Sequence, residues 1–140
     1  MEWVILAVLS AFFAALVAIF GKIGLERVDP TVGTAARAII MTLFILTLLI
    51  TTGKGHQLTQ FTSRDMGFIV LSGVAGALSW LFYFAALKLA NASQVAIIDR
   101  ASVLIVIVLS VLFLGEILTP KTATAAILIF IALLLIVNPE

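Results

Sequence analysis

Asp99 and Arg100 stand side by side in "SQVAIIDRAS", within a chain that is 64% apolar. Lys22 in "FGKIG" and Arg37 in "AARAII" are set in surroundings just as greasy. One carboxylate and three cations in such a setting have few chemistries open to them. They lock one another as ion pairs, act as counter-ions for a charged solute, or accept protons or ions along a translocation path. An ionisable side chain at the centre of a bilayer costs at least about 2.5–3.5 kcal/mol on insertion scales, so it survives by pairing, facing the bundle interior or lining water. Arg37 and Arg100 have another outlet, because long cationic side chains snorkel to the headgroups. Adjacent helical positions point about 100° apart, so Asp99 and Arg100 are not expected to pair with each other. Arg37 or Lys22, across the bundle, is the expected partner of Asp99.

Trp80 and Tyr83 lie three residues apart on one helix face. They are about two to three turns from Lys88, deeper than an interfacial aromatic anchor, and are expected to line a cavity. Glu116 follows Gly115 at a span end, with Pro120 and Lys121 close behind. A carboxylate at a helix C-terminus meets the unfavourable end of the dipole. Pairing with Lys121 as a helix-end lock, or a role as a gate, is expected to offset that.

The elements that must position these residues are membrane spans. Charged residues make up 11% of the chain, against about 25% in a soluble domain, and the mean hydropathy is +1.32. Residues 3–21, 66–87 and 122–139 contain no Asp, Glu, Lys or Arg. A spanning helix needs about 20 mostly apolar residues. The pattern predicts an all-α polytopic membrane protein with five helices, at about 3–25, 31–52, 66–87, 92–115 and 121–137. β-branched residues are abundant in three of these, but the runs lack period-two alternation, and open strands leave backbone groups unsatisfied in lipid. The longest link is "GKGHQLTQFTSRD"; the others are too short to hold a folded module, so residues 1–140 are expected to form one domain. Spans two and four enter from the same side, and Arg37 and Asp99 then lie about 9 and 10 Å deep at 1.5 Å per residue. Lys22 approaches that side too.

Eight bases against seven acids give a net charge of +1 and no basic stripe, so no nucleic-acid partner is expected. The chain has no cysteine, a single histidine (His56) in a loop, and no paired acidic motif. No enzymatic activity, metal or cofactor is expected. "MEWVILAVLS" lacks the basic n-region and cleavage site of a signal peptide and is expected to open the first span.

Small residues cluster in "GFIVLSGVAGALSW" (Ser72, Gly73, Ala75, Gly76, Ala77, Ser79) and at Ala14, Ala18, Gly21 and Gly24. They either let helices approach closely or line a cavity or hinge. Lys22, Arg27, Arg37, Lys88 and Arg100 belong to one side of the membrane, and Lys54, Arg64 and Lys121 to the other. Omitting the two arginines inside the spans leaves three against three, so the positive-inside rule specifies orientation weakly.

At "LFLGE" the chain resembles the EamA domain of the drug/metabolite transporter superfamily. "AALVAIFGKIGLE" resembles that family's first helix, "AARAIIM" its second with Arg37 at the family's arginine, and residues 76–119 its third and fourth. Most members carry ten spans in two such domains. This chain is similar to the single-domain, five-span branch, in which an Asp followed by Lys or Arg replaces a proline-bearing segment of the fourth helix; Asp99 and Arg100 stand there.

The resemblance implies a secondary transporter of the inner membrane, moving a small metabolite or amphiphile by alternating access. Inverted repeats commonly build transporter cores, so an antiparallel homodimer is the expected assembly, with a parallel dimer or a paralogue as the alternatives. Asp99, Arg100, Arg37 and Lys22 are expected along the path and Trp80 and Tyr83 against solute. A non-transporting membrane scaffold subunit is the rival expectation.

Overall fold

The computed structural model describes residues 1–137 of the chain. All regular structure among them is helical: α1 (Glu2–Gly24), α2 (Pro30–Thr51), a 3₁₀ segment (Lys54–Gln60), α3 (Ser63–Leu89), α4 (Ala92–Asp99), α5 (Ala101–Leu109) running into a π-wound turn (Ser110–Leu114), and α6 (Pro120–Val137). Five stretches are long and apolar enough to cross a membrane, with α4, α5 and the π turn together making the fourth. The all-α expectation therefore holds.

The helix ends are written in the sequence. Asp29 caps α2, its Oδ1 accepting from the Thr31 and Val32 amides at 2.8 and 3.4 Å, with Pro30 at the first helical position. Those backbone bonds hold the Asp29 carboxyl below its usual 3.8. At α3, the Thr62 hydroxyl accepts from the Asp65 amide at 3.2 Å, and Asp65 accepts from the Thr62 amide at 3.1 Å. This reciprocal cap starts the helix at Ser63, earlier than hydropathy alone suggests. At α6, Thr119 accepts from the Thr122 amide at 3.2 Å. Gly53 (φ 67°) and Gly115 (φ 68°) end the second and fourth spans in the left-handed conformation that glycine adopts cheaply. Thr42, Thr47 and Thr51 donate their hydroxyls to carbonyls four residues back, at 2.8–2.9 Å. That satisfies them locally, so they can face lipid.

Two differences from the expected pattern have local causes. The long link forms a 3₁₀ segment instead of open loop. The fourth span is not continuous. At Arg100 the backbone tightens, with its amide bonded to Ile97 O at 3.1 Å and its carbonyl accepting from the Val103 amide at 3.0 Å. These i→i−3 bonds form a 3₁₀-like break beside Asp99, a feature that often marks a hinge.

The chain forms two compact units, residues 1–89 and residues from Ala90 onward. In the first, α3 packs against both α1 and α2. Its buried apolar residues are Ala18, Leu25, Phe84 and Leu87, with Leu87 fully enclosed. In the second, α4 and α5 pack against α6, and Val95 is buried. So small a buried set, beside so many exposed Leu, Ile, Val and Phe, suits a protein whose outer surface is solvated by lipid.

Candidate substrate-binding cleft

The functional geometry of the first unit begins with close helix approach. A Cβ at Gly21 would lie 3.1 Å from Cε1 of Phe84 and 3.4 Å from Cδ1 of Leu87. Its absence brings α1 onto α3. A Cβ at Gly33 would lie 2.4 Å from Cδ2 of Leu25, which seats the α1–α2 corner. Two lysines hold the same end. Lys22 donates from Nζ to the Leu87 carbonyl, and Lys88 donates to the Val28 carbonyl at 2.8 Å. The Lys22 ammonium at one of the last carbonyls of α3 also suits that helix's dipole.

Between these contacts lies a cleft of about 570 Å³. Val17, Phe20, Leu25, Ile40, Met41 and Phe84 give it apolar walls, and Gly21, Gly24, Gly33 and Ala36 thin the backbone around it. Arg37 is its one charged lining residue. The guanidinium carbon sits 3.6 Å from the centroid of a Trp80 ring and 5.7 Å from that of Phe84. Trp80 in turn meets Tyr83 and Phe84 edge-on, with centroids 5.6 and 5.8 Å apart. Stacking on a desolvated ring is worth up to about 2 kcal/mol, with about 0.5–1.5 kcal/mol for each aromatic pair. Arg37 is seven residues into α2, about 10 Å at 1.5 Å per residue. It therefore lies well below the helix end, held by an aromatic platform.

The structure thus joins Arg37, Trp80 and Tyr83 in one cluster and sets Lys22 at the adjoining helix end, bonded to backbone. Within this unit Arg37 meets an indole face and no carboxylate. Phe84 is the member that sequence reasoning missed. It lies four residues after Trp80, on the same helix face, so the periodic signal was present. In the second unit, Asp99 ends α4 half-buried and Arg100 sits exposed in the break. Glu116 and Lys121 are exposed, and no ion pair joins them among the described residues. Gly115 and the Glu116 amide close the π turn onto the Ser110 carbonyl, the latter at 3.3 Å, so "LFLGE" is a helix-terminating device. No group of three or more His, Cys, Asp or Glu side chains able to hold a metal occurs among the described residues.

Five apolar helices and an apolar cleft beneath one guanidinium define a polytopic membrane protein with room for a small solute. The profile of the EamA-like transporter family matches residues 1–138, and the chain belongs to that family, within the drug/metabolite transporter superfamily. It is similar to a Sinorhizobium sp protein described as an uncharacterized transporter in the cobO 3' region, with 39% identity over 115 residues, 82% of either chain. No solved structure matches the chain. Membership gives the coarse function: movement of a small solute across a lipid bilayer.

Proposed function

We propose that the protein is a secondary transporter of the inner membrane that moves a small metabolite or amphiphile by alternating access, its five spans acting as one functional domain. The observation that carries this reading is the cleft of about 570 Å³ with Arg37 as its one charged lining residue. That volume lies within the roughly 300–1,000 Å³ typical of small-molecule sites. Trp80 and Tyr83 contact the solute, and Lys22 steadies the helix end beside it. Asp99 and Arg100 line one end of the path, where Asp99 accepts the coupling proton or ion. The break at Arg100 supports that role, because discontinuous helices recur where transporters bind substrate and ions. Glu116 and Lys121 act at the far end of the fourth span as a helix-end gate.

The working assembly is an antiparallel homodimer, which would supply the ten spans typical of the superfamily. Gly73 and Gly76 on α3 have no atom within 4 Å of where a Cβ would sit, which leaves a thin helix face available to a second copy. The nearly even split of Lys and Arg between the two sides is compatible with insertion in both orientations.

The test is flux from purified protein in liposomes loaded with a mixed metabolite extract, with and without an imposed pH gradient. The expected result is gradient-stimulated loss of a discrete set of solutes, weakened by Asp99→Asn. Sealed vesicles under both conditions would instead support a scaffold subunit. Tagging each terminus separately and labelling from outside intact cells tests the assembly. Comparable labelling of both orientations supports the inverted dimer, and a single orientation rules it out.

A further inference from the structure

The cleft holds one kind of charge and nothing within its unit to balance it. Stacking on Trp80 uses the flat face of the Arg37 guanidinium. A guanidinium carries five N–H donors around its edge, and within residues 1–89 none of them meets an acceptor. A half-buried cation with unmet donors in an apolar site is costly, and it calls for an anion. The walls ask for the opposite, since Val17, Phe20, Ile40, Met41 and Phe84 have no polar side-chain atom to offer.

From this pairing we infer that the solute is an organic monoanion: a carboxylate that takes the edge of Arg37, on an apolar or aromatic body that fills the cleft. The inference rests on the transport reading above and narrows its substrate. A carboxylate matches the guanidinium fork with two parallel hydrogen bonds. A phosphate dianion would leave one charge unneutralised, because Lys22 is already bonded to the Leu87 carbonyl. A zwitterion would press its ammonium against apolar walls beside a like charge. A cation would be repelled. The aromatic platform holds the fork in place before the solute arrives, which lowers the ordering cost of binding.

Equilibrium binding of radiolabelled 3-phenylpropionate to protein in lipid nanodiscs tests this, with empty nanodiscs as the blank. The acid should be retained saturably. Its neutral amide should bind about 10- to 100-fold more weakly, the range for a lost hydrogen bond to a charged group, and 3-phenylpropylamine should not bind. Arg37→Gln should erase the preference for acid over amide. Should that variant fail to purify as a single species, Arg37→Lys should keep the preference but bind about tenfold more weakly, having lost the fork. Competition with dodecanoate tells a bilayer-derived acid, if it displaces at lower concentration, from an aqueous one; either order supports the carboxylate assignment. Equal binding of acid and amide, tighter binding of the amine, or no retention at all would overturn it. Binding without flux would sink only the transport reading, and flux of neutral or cationic solutes without acid binding would sink only this one.

Discussion

Gly21 and Gly24 lie about one turn apart on α1 and both border the cleft, yet they tolerate side chains very differently. A Cβ at Gly21 would stand 3.1 Å from the Phe84 ring, whereas nothing lies within 4 Å of one at Gly24. Apolar carbons prefer about 3.5–4.0 Å, so Gly21→Ala falls short by about 0.4–0.9 Å. Alanine gains about 1 kcal/mol of helix propensity over glycine, so that variant should be close to neutral. Gly21→Leu has no such escape. Its branch must enter the space held by Phe84 and Leu87, both buried, and overpacking of that kind costs about 1–3 kcal/mol. Gly24→Leu projects into open cleft and should not destabilise the protein, while filling the solute's space. Thermal unfolding of purified protein in detergent separates the two, with vesicle flux measured alongside. If Gly24→Leu is destabilised as much as Gly21→Leu, the account of helix contact and cleft is wrong.

Other perturbations test separate links. The Arg37–Trp80 stack at 3.6 Å should appear as a coupling of about 1–2 kcal/mol in a double-mutant cycle with Arg37→Met and Trp80→Leu, read by unfolding; no coupling would mean the stack contributes only contact. Asp29 has a depressed carboxyl pKa, so its contribution to stability is fully present above 3.8 and is lost as pH falls through the lower folded value. Asp29→Ala should therefore lower the melting temperature near neutral pH, with the difference from wild type shrinking below pH about 4; a constant difference down to acid would contradict the charged cap. Asp99→Asn should keep the helical far-ultraviolet spectrum and lose the response of flux to a pH gradient. An unchanged response would make Asp99 a structural group.

The five spans were legible because lipid allows one solution for each apolar run. The start of the third was not, because the reciprocal cap of Thr62 and Asp65 begins that helix at Ser63, ahead of its charge-free run. The break at Arg100 was not legible. No glycine or proline marks it, and its i→i−3 bonds emerge only in the folded chain. Arg37 and Trp80 both stood out in the sequence, as a buried cation and as a cavity aromatic. What hid their union was pairing charges only with charges or headgroups, when a guanidinium equally accepts a ring face. Phe84 was concealed among ten phenylalanines. The close approach at Gly21 depends on which helix packs against α1, and a single sequence does not state that.

The central claim is that solute passes through the cleft beneath Arg37. Wild-type protein and Gly24→Leu, matched for amount and thermal stability, would be placed in vesicles loaded with a metabolite extract, and the solutes lost would be identified by mass spectrometry. Wild type should release a discrete set, with organic acids prominent, while Gly24→Leu vesicles retain it. Equal release from both, or none from wild type, would contradict the claim.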